Sequence, residues 1–553
     1  MKEQLRQAIK TALQQCYDNG SLSSGEIPQE IQLEVPKNPD HGDFASNLAM
    51  TMAKAERKAP RQIATALVAA LQDNPLCAEI EIAGPGFINF RLAPSCWYGV
   101  LDQVMRDGDQ YGRSQVGSGT SIQVEFVSAN PTGPLHIGHG RGAVVGDAVA
   151  AVLQAAGFEV QREYYVNDAG NQVKTLGRSI LMRLRELQGE TIEFPEDGYQ
   201  AEYVRELAAK LRREKGELHD LSEEAAIELC ARFGVAEVLD WIATDLKAFG
   251  IHFDNWYSEK SLYDRHLVDA ELVKLKEKGL SFEQDDALWL RTTEYGDDKD
   301  RVLIKSDGSY TYFASDVAYH MEKFERGFDR VIDVWGADHH GYIPRMKAML
   351  AGLGHPPEDL EVLLIQMVNL LRDGQPVIMG KRSGNFITLR EVIDEVGSDA
   401  CRFFFLMRRC DSQLDFDLEL AKQQSTDNPV YYVQYAHARV CSINRNASAA
   451  GIPRPQTETV DFSRLELAEE LALVRQLARF EELIVGAALN YEPHRVVFYL
   501  QDLAAQFHSY YNRQRVLVDD PATTQARLYL VNCVRIVLAN ALRLLGVSAP
   551  EQM

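Results

Sequence analysis

One stretch limits the possible folds of this chain more than any other. A strand pattern runs into a helix pattern through a turn crowded with glycine, proline and histidine, Asn130-Pro131-Thr132-Gly133-Pro134-Leu135-His136-Ile137-Gly138-His139-Gly140. Before the turn, Ile122, Val124, Phe126 and Ser128 alternate imperfectly with Gln123, Glu125 and Val127, as in a strand mostly buried on both faces. After it, Val144, Ala148 and Val152 recur every four residues beside Val145, Val149 and Leu153, until Gly157 supplies a stop. The first turn of such a helix has unpaired N–H groups and the positive end of the helix dipole. Two histidines and two glycines there suit a bound phosphate, and a nucleotide is the natural guest.

The rest of the chain is organised around this junction. From about 116 to 425 strand and helix patterns alternate, which predicts an α/β domain on a Rossmann-type, doubly wound parallel sheet with its ligand at the carboxyl ends of the strands. Between about 174 and 270 the alternation gives way to charged helical spacing, Tyr199 to Lys215 and Ser222 to Phe249, as an inserted helical subdomain would. The sheet pattern is expected to resume at 287–291 and 301–305, then at 330–335 and 361–365. Residues 1–115 read as a small mixed α/β domain, with a helix through Tyr17, a strand Ile31 to Val35 and a helix from Asn47 to Leu71. After about 426 strand signals vanish, and a helical bundle over 426–553 is expected. Its last helix places Val531, Val534, Val537, Leu538, Ala541, Leu542 and Leu545 on one face.

The net charge of −22 counts against nucleic-acid binding only until its distribution is examined, because phosphate contacts need Lys and Arg. From Val430 onward the chain has twelve arginines, no lysine and twelve acidic residues, so the whole negative excess precedes it. An arginine-only cationic set suits planar phosphate and base contacts, and equally suits solvated helix faces. Eight cysteines without any Cys-x-x-Cys spacing argue against a zinc site and a disulfide framework. No apolar run approaches the roughly 20 residues of a membrane span, and the opening residues lack an apolar signal core. A soluble cytoplasmic protein is expected.

The string from Glu125 to His136, followed by the tetrad His136-Ile137-Gly138-His139, resembles class I aminoacyl-tRNA synthetases in their arginyl version. The turns Asn38-Pro39-Asp40-His41-Gly42-Asp43-Phe44-Ala45 and Gly84-Pro85-Gly86-Phe87-Ile88-Asn89-Phe90 resemble the N-terminal domain of that family, which contacts the outer corner of the tRNA. The segments 432–439 and 544–553 resemble the two ends of its anticodon-binding domain. The resemblance implies that ATP, with Mg2+, activates L-arginine to arginyl-adenylate. The arginyl group then passes to the 2′-hydroxyl of the terminal adenosine of tRNA(Arg). It further implies a monomer whose activation step needs bound tRNA.

Activation is attack of a carboxylate on the α-phosphate of ATP, helped chiefly by positive charge and donors placed around the phosphates. His136 and His139 can donate to phosphate oxygens there, and Gly138 lets the adenosine approach the backbone. A second cationic element is expected in the loop Val377-Ile378-Met379-Gly380-Lys381-Arg382-Ser383-Gly384-Asn385. Class I synthetases usually carry Lys-Met-Ser-Lys-Ser here; Ile378, Gly380 and Arg382 depart from that pattern. Lys381 matches the lysine that grips the pyrophosphate, with Met379 and Arg382 beside it, and Thr388 caps a helix with Glu391. By resemblance Gly336 and Asp338 sit near the ATP ribose, and His339 reaches the amino acid. His339 and His340 are neighbours in sequence and point apart, so no metal site is expected.

A guanidinium needs acidic acceptors to be held away from water. By resemblance Tyr312 and Asp316 form the arginine-recognising pair, Glu125 is a further acidic contact, and Ser128 and Asn130 hold the α-amino group. On the tRNA side the resemblance puts Phe87 against a base, Asn89 in a hydrogen bond to one, and Met553 at the RNA-facing end. Tyr510 and Tyr511 suit either a helix core or a stacking platform.

Overall fold

The structure, a computed structural model, describes residues 1–216, 218, 220–377 and 387–553. They form two compact units, one of Met1–Tyr111, Val440–Arg479 and Ala505–Val537, the other of Gly112–Arg439, Phe480–Ala504 and Leu538–Met553.

The second unit contains a five-stranded parallel sheet: β1 (Ser121–Glu125), β2 (Glu159–Val166), β3 (Asn255–Ser258), β4 (Arg330–Gly336) and β5 (Leu360–Ile365). Its order is β5-β4-β1-β2-β3, with every pairing parallel. The winding reverses at β1, so the carboxyl end of β1 opens on the crevice where doubly wound sheets bind ligands. Helix α1 (Ile137–Ala155) connects β1 to β2 and is buried along most of its length, as its unbroken apolar spacing requires. Helices α2 (Asn171–Leu187), α3 (Glu202–Lys215) and α4 (Glu223–Ala248) follow β2 before the chain returns to the sheet. Ser222 caps α4 by accepting from Ala225 N.

Two sheet expectations change. The segments 287–290 and 301–304 do not belong to the parallel sheet; with Ser281–Gln284 they form a separate three-stranded antiparallel sheet. The reason is local. Only Asp285 and Asp286 join the first two strands, at φ 52° and 58°, and a two-residue left-handed turn closes an antiparallel hairpin, whereas parallel strands need a crossover. Conversely, β3 falls within the stretch 174–270 read as a helical insertion. Four residues are too few to register as a period against the charged helices around them.

In the first unit, Phe44–Ser46, Phe87–Leu92 and Cys77–Ala83 form an antiparallel sheet in that order. The single helix expected from Asn47 to Leu71 is two, Leu48–Glu56 and Pro60–Leu71. Arg57 takes φ 50°, and Pro60 starts a helix it could not continue. The expected strand at Ile31 to Val35 reduces to one bridge, Glu34 to Ala45. The last helix, Pro521–Leu544, buries every residue of the apolar face named above, and Leu545 just beyond it is buried too.

Candidate active site

At the carboxyl end of β1 the backbone leaves the sheet through two left-handed residues, Val127 at φ 69° and Ser128 at φ 39°. A β-branched residue in this region costs about 1–3 kcal/mol, and such strain concentrates where a site must be shaped. Here it turns Ser128 back onto the strand. Its Oγ donates to Glu125 Oε1 at 2.8 Å and accepts from Tyr165 N at 3.1 Å. The other Glu125 oxygen accepts from Lys323 Nζ at 2.6 Å. Asn130 is exposed and donates to Gln172 Oε1 at 2.8 Å.

Eleven residues past the end of β1, at His136, the chain enters α1 through the histidine turn. His136 is the cap: its Nδ1 accepts from Gly138 N at 3.1 Å, and His139 Nδ1 accepts from His136 N at 3.3 Å. The rings stack with centroids 3.7 Å apart. An Nδ1 that accepts leaves the ring proton of a neutral imidazole on Nε2, so the hydrogen bonds set both rings as Nε2 donors. A side chain at Gly138 would crowd the His136 ring, reaching within 3.0 Å of its Cε1. Arg141, one turn into α1, donates to the carbonyls of Gln366, Ser412 and Arg409 at 2.7–2.9 Å, which pins the helix to the chain flanking residues 378–386.

That flank is fixed on its far side as well. His136 pairs with Thr388 in an antiparallel bridge, and Leu389 N donates to Leu135 O at 2.8 Å. Thr388 caps Leu389–Val396 with Glu391, as expected: Glu391 N donates to Thr388 Oγ1 at 3.1 Å and Thr388 N to Glu391 Oε2 at 2.7 Å. Lys381, Met379 and Arg382 lie outside the described residues.

Helix α5 (Tyr312–Glu325) carries the expected arginine pair at its start. Tyr312 is 65% exposed, and Asp316 accepts from the Tyr342 hydroxyl. Burial raises the Asp316 carboxyl above the usual carboxylate range, against the opposing effect of that hydrogen bond. Sequence reasoning passed over Glu259, which directly follows β3 and is almost wholly buried. Burial first, then the nearby charges of Asp316 and Asp168, push its carboxyl up to about 7. Glu259 is buried and Asp316 partly so, and burial disfavours the charge of both carboxylates, which a cation beside them would restore. The sequence signal was an acid at the carboxyl end of a parallel strand, and it went unread because the strand itself did.

Gly336 ends β4, and the turn Ala337–Tyr342 follows. Asp338 and His339 are exposed there, His339 Nε2 lying 3.8 Å from Asp338 Oδ2. In the first unit Phe87 is exposed at the start of its strand, whereas Asn89 is buried. Tyr510 is a core residue donating to Glu470 Oε1 at 3.2 Å, while Tyr511 lines a groove of about 440 Å3 with Asn446, Asn512, Arg513 and Arg515. Met553 is half exposed.

Known families match along the chain. Residues 100–408 match the catalytic domain of the class I (R) tRNA synthetases, so a class I aminoacyl-tRNA synthetase is the class that this fold and site define. Residues 3–92 match the arginyl tRNA synthetase N terminal domain and 433–553 the DALR anticodon binding domain. An arginine–tRNA ligase of Syntrophotalea carbinolica is 67% identical and one of a Geobacter species 55%, each over all of both chains. The arginyl-tRNA synthetase of Thermus thermophilus has a similar structure, with a TM-score of 0.76 and 25% identity over all of both chains. The chain belongs to the arginyl-tRNA synthetase family, and its activity is the ATP-dependent ligation of arginine to tRNA(Arg).

Proposed function

We propose that one turn brings the two reactants of activation together: the carboxyl end of β1 holds arginine, and the start of α1 holds ATP. Glu125 and Ser128 share the α-amino group, with Asn130 beside them. The observation that supports this most directly is the Ser128–Glu125 hydrogen bond at the strained bend where β1 ends. Asp316, Tyr312 and Glu259 take the guanidinium, and His339 approaches the amino acid from the β4 side.

His136 and His139 donate from Nε2 to the phosphates, stabilising charge that develops as the arginine carboxylate attacks and pyrophosphate departs. Gly138 admits the adenosine, Gly336 and Asp338 receive the ribose, and Lys381, with Met379 and Arg382, grips the pyrophosphate. The histidine turn offers donors rather than carboxylates. Among the described residues no group of three or more His, Cys, Asp or Glu gathers as a metal site. Mg2+ would enter on the ATP phosphates, where it would neutralise charge. The arginyl group then passes to the 2′-hydroxyl of the terminal adenosine, as in class I.

In this reading residues 1–115 and 426–553 serve the tRNA, flanking a catalytic domain over 116–425 with its insertion at about 174–270. Phe87 and Asn89 contact the corner of the tRNA. Tyr511 and its arginine-lined groove receive a base, and Met553 meets the RNA. The enzyme works as a cytoplasmic monomer; among the described residues no helix is long and apolar enough to cross a membrane. Pyrophosphate exchange with saturating tRNA tests the division of the turn. Glu125→Gln should raise the KM for arginine far more than that for ATP, and His136→Ala should act mainly on kcat. Equal effects of both on both substrates would refute it.

A further inference from the structure

Beneath the turn lies a row of acids. Asp333 on β4, Glu125 on β1 and Glu163 on β2 are direct partners in the sheet register. Partners in register project to the same face. Like charges directly opposite each other are destabilising even in exposed sheets. Three carboxylates side by side in a buried sheet therefore need an explanation.

Helix α5 supplies it. Asp316, His320 and Lys323 are spaced four and three apart, on one face of that helix. Lys323 Nζ sits between two of the acids, 2.6 Å from Glu125 Oε2 and 2.9 Å from Asp333 Oδ1. His320 Nε2 takes the second Asp333 oxygen at 2.8 Å. Just past the helix, Arg326 holds both oxygens of Glu163, at 2.5 and 2.9 Å. Lys323, Asp333 and Glu163 are 0% exposed; Glu125, at 7%, is the one acid of the row that keeps a surface. One ammonium thus bridges two carboxylates, of which Asp333 has His320 as a second partner and Glu125 has Ser128. Burial disfavours the Lys323 charge, yet Asp333, Glu125 and Glu163 outweigh it and keep the ammonium protonated.

We propose that Lys323 is a positioning residue for amino-acid recognition. By anchoring Glu125 Oε2 it fixes the carboxylate in one orientation, with Oε1 and the Ser128 hydroxyl turned toward the substrate ammonium. This rests on the assignment of Glu125 to the α-amino group. The helix that presents Asp316 to one end of the substrate thereby sets the acid that meets the other end. Discrimination for a substrate with an α-amino group passes through a residue that never touches it.

The test compares L-arginine with 5-guanidinopentanoic acid, which lacks only the α-amino group, as a competitive inhibitor of pyrophosphate exchange in the presence of tRNA. Lys323→Met should raise the KM for arginine roughly ten- to a hundredfold while shifting the inhibitor's Ki by no more than about threefold. Because a lone Lys323→Met leaves two buried acids facing each other, the double variant Lys323→Met/Asp333→Asn is measured beside it. That variant removes the repulsion but not the loss of orientation. Recovery of thermal stability with the arginine KM still raised supports the proposal; recovery of both overturns it, leaving Lys323 a neutralising group only. Glu125→Gln separates the two layers. An unchanged arginine-to-inhibitor ratio in Glu125→Gln overturns the Glu125 assignment and this proposal with it. A changed ratio there, with none in the Lys323 variants, overturns this proposal alone.

Discussion

His136 and Thr388 face each other across a single antiparallel bridge, so the chain emerging from residues 378–386 is tied to the turn that carries both histidines. Thr388 also caps the helix that follows. Thr388→Ala should cost about 1 kcal/mol of stability through the lost cap. Because Thr388 lies bridged to His136, the same change should lower kcat in pyrophosphate exchange more than it raises the KM for arginine. Thr388→Ser, which keeps the capping oxygen, should restore both. Denaturant midpoints and exchange kinetics on the three proteins check this.

Glu259 makes a prediction about pH. Its carboxyl titrates at about 7 in the folded chain, against 4.5 as the ordinary value. Between those values the folded state holds a proton that the unfolded chain has released. The arginine-free enzyme therefore loses stability as pH rises through this window, by at most about 3 kcal/mol at roughly 1.4 kcal/mol per unit. Bound arginine reverses the balance, because the guanidinium supplies the charge that an ionised Glu259 lacks. The KM for arginine should fall as pH rises toward 7 and level off above it. Glu259→Gln should flatten the profile and raise that KM at every pH.

Asp316 tests the same subsite by charge. Asp316→Asn keeps an oxygen for the Tyr342 hydroxyl but removes the negative charge, leaving the guanidinium short of a partner out of water. Losses of about 3–5 kcal/mol accompany buried charges stripped of their partners. The expected fall in kcat/KM for arginine is thus at least about a hundredfold, with the KM for ATP unchanged. A change below tenfold in kcat/KM would remove Asp316 from the guanidinium site.

Gly546 should be irreplaceable for steric reasons. It sits at φ +65°, and a side chain there would overlap the Arg402 guanidinium, which donates to Leu545 O at 2.7 Å and Phe249 O at 3.1 Å and is paired with Asp147. Gly546→Ala should lower stability by about 2–4 kcal/mol, combining backbone strain with overpacking. Gly354, at φ +97° with open space where a Cβ would project, provides the control. Gly354→Ala should cost only about 1 kcal/mol. Chemical denaturation of both variants distinguishes the contributions.

Tyr511 lines its groove with two arginines and two asparagines while its neighbour Tyr510 is buried. Tyr511→Ala should raise the KM for tRNA by the equivalent of about 1–3 kcal/mol, the usual worth of one base stacked on an aromatic ring. The values of KM for arginine and ATP at saturating tRNA should stay where they are.

Sequence and structure agree where a long period or a dense motif left few alternatives. The run from Ile122 to Gly157 predicted a strand, a ligand-binding turn and a buried helix, and the strand, the turn and the helix are all present. Thr388 and Glu391 announced their capping box by spacing alone. Short elements were missed. β3 has four residues between charged helices, and the 287–304 strands were given to the wrong sheet because strand patterning carries no sign of pairing direction; only the Asp285–Asp286 turn did. At the site, Glu125 and Asp316 were chosen by resemblance. Lys323, Asp333 and Glu163 were invisible, since a charged residue in a strand or helix is usually solvated and only the register, with the helix packed over it, places these three in one dry layer.

That layer has a consequence for how such chains can change over time. Positions 125, 163, 323, 326 and 333 cannot drift one at a time. Loss of Lys323 leaves two acids in conflict, and loss of Asp333 alone hands its ammonium wholly to Glu125, dulling the acid that faces the substrate. A lineage that alters the row must pass through a paired replacement or a crippled intermediate. Across related chains the five should therefore be kept together or exchanged together, a covariation that follows from one register row lying under one helix face.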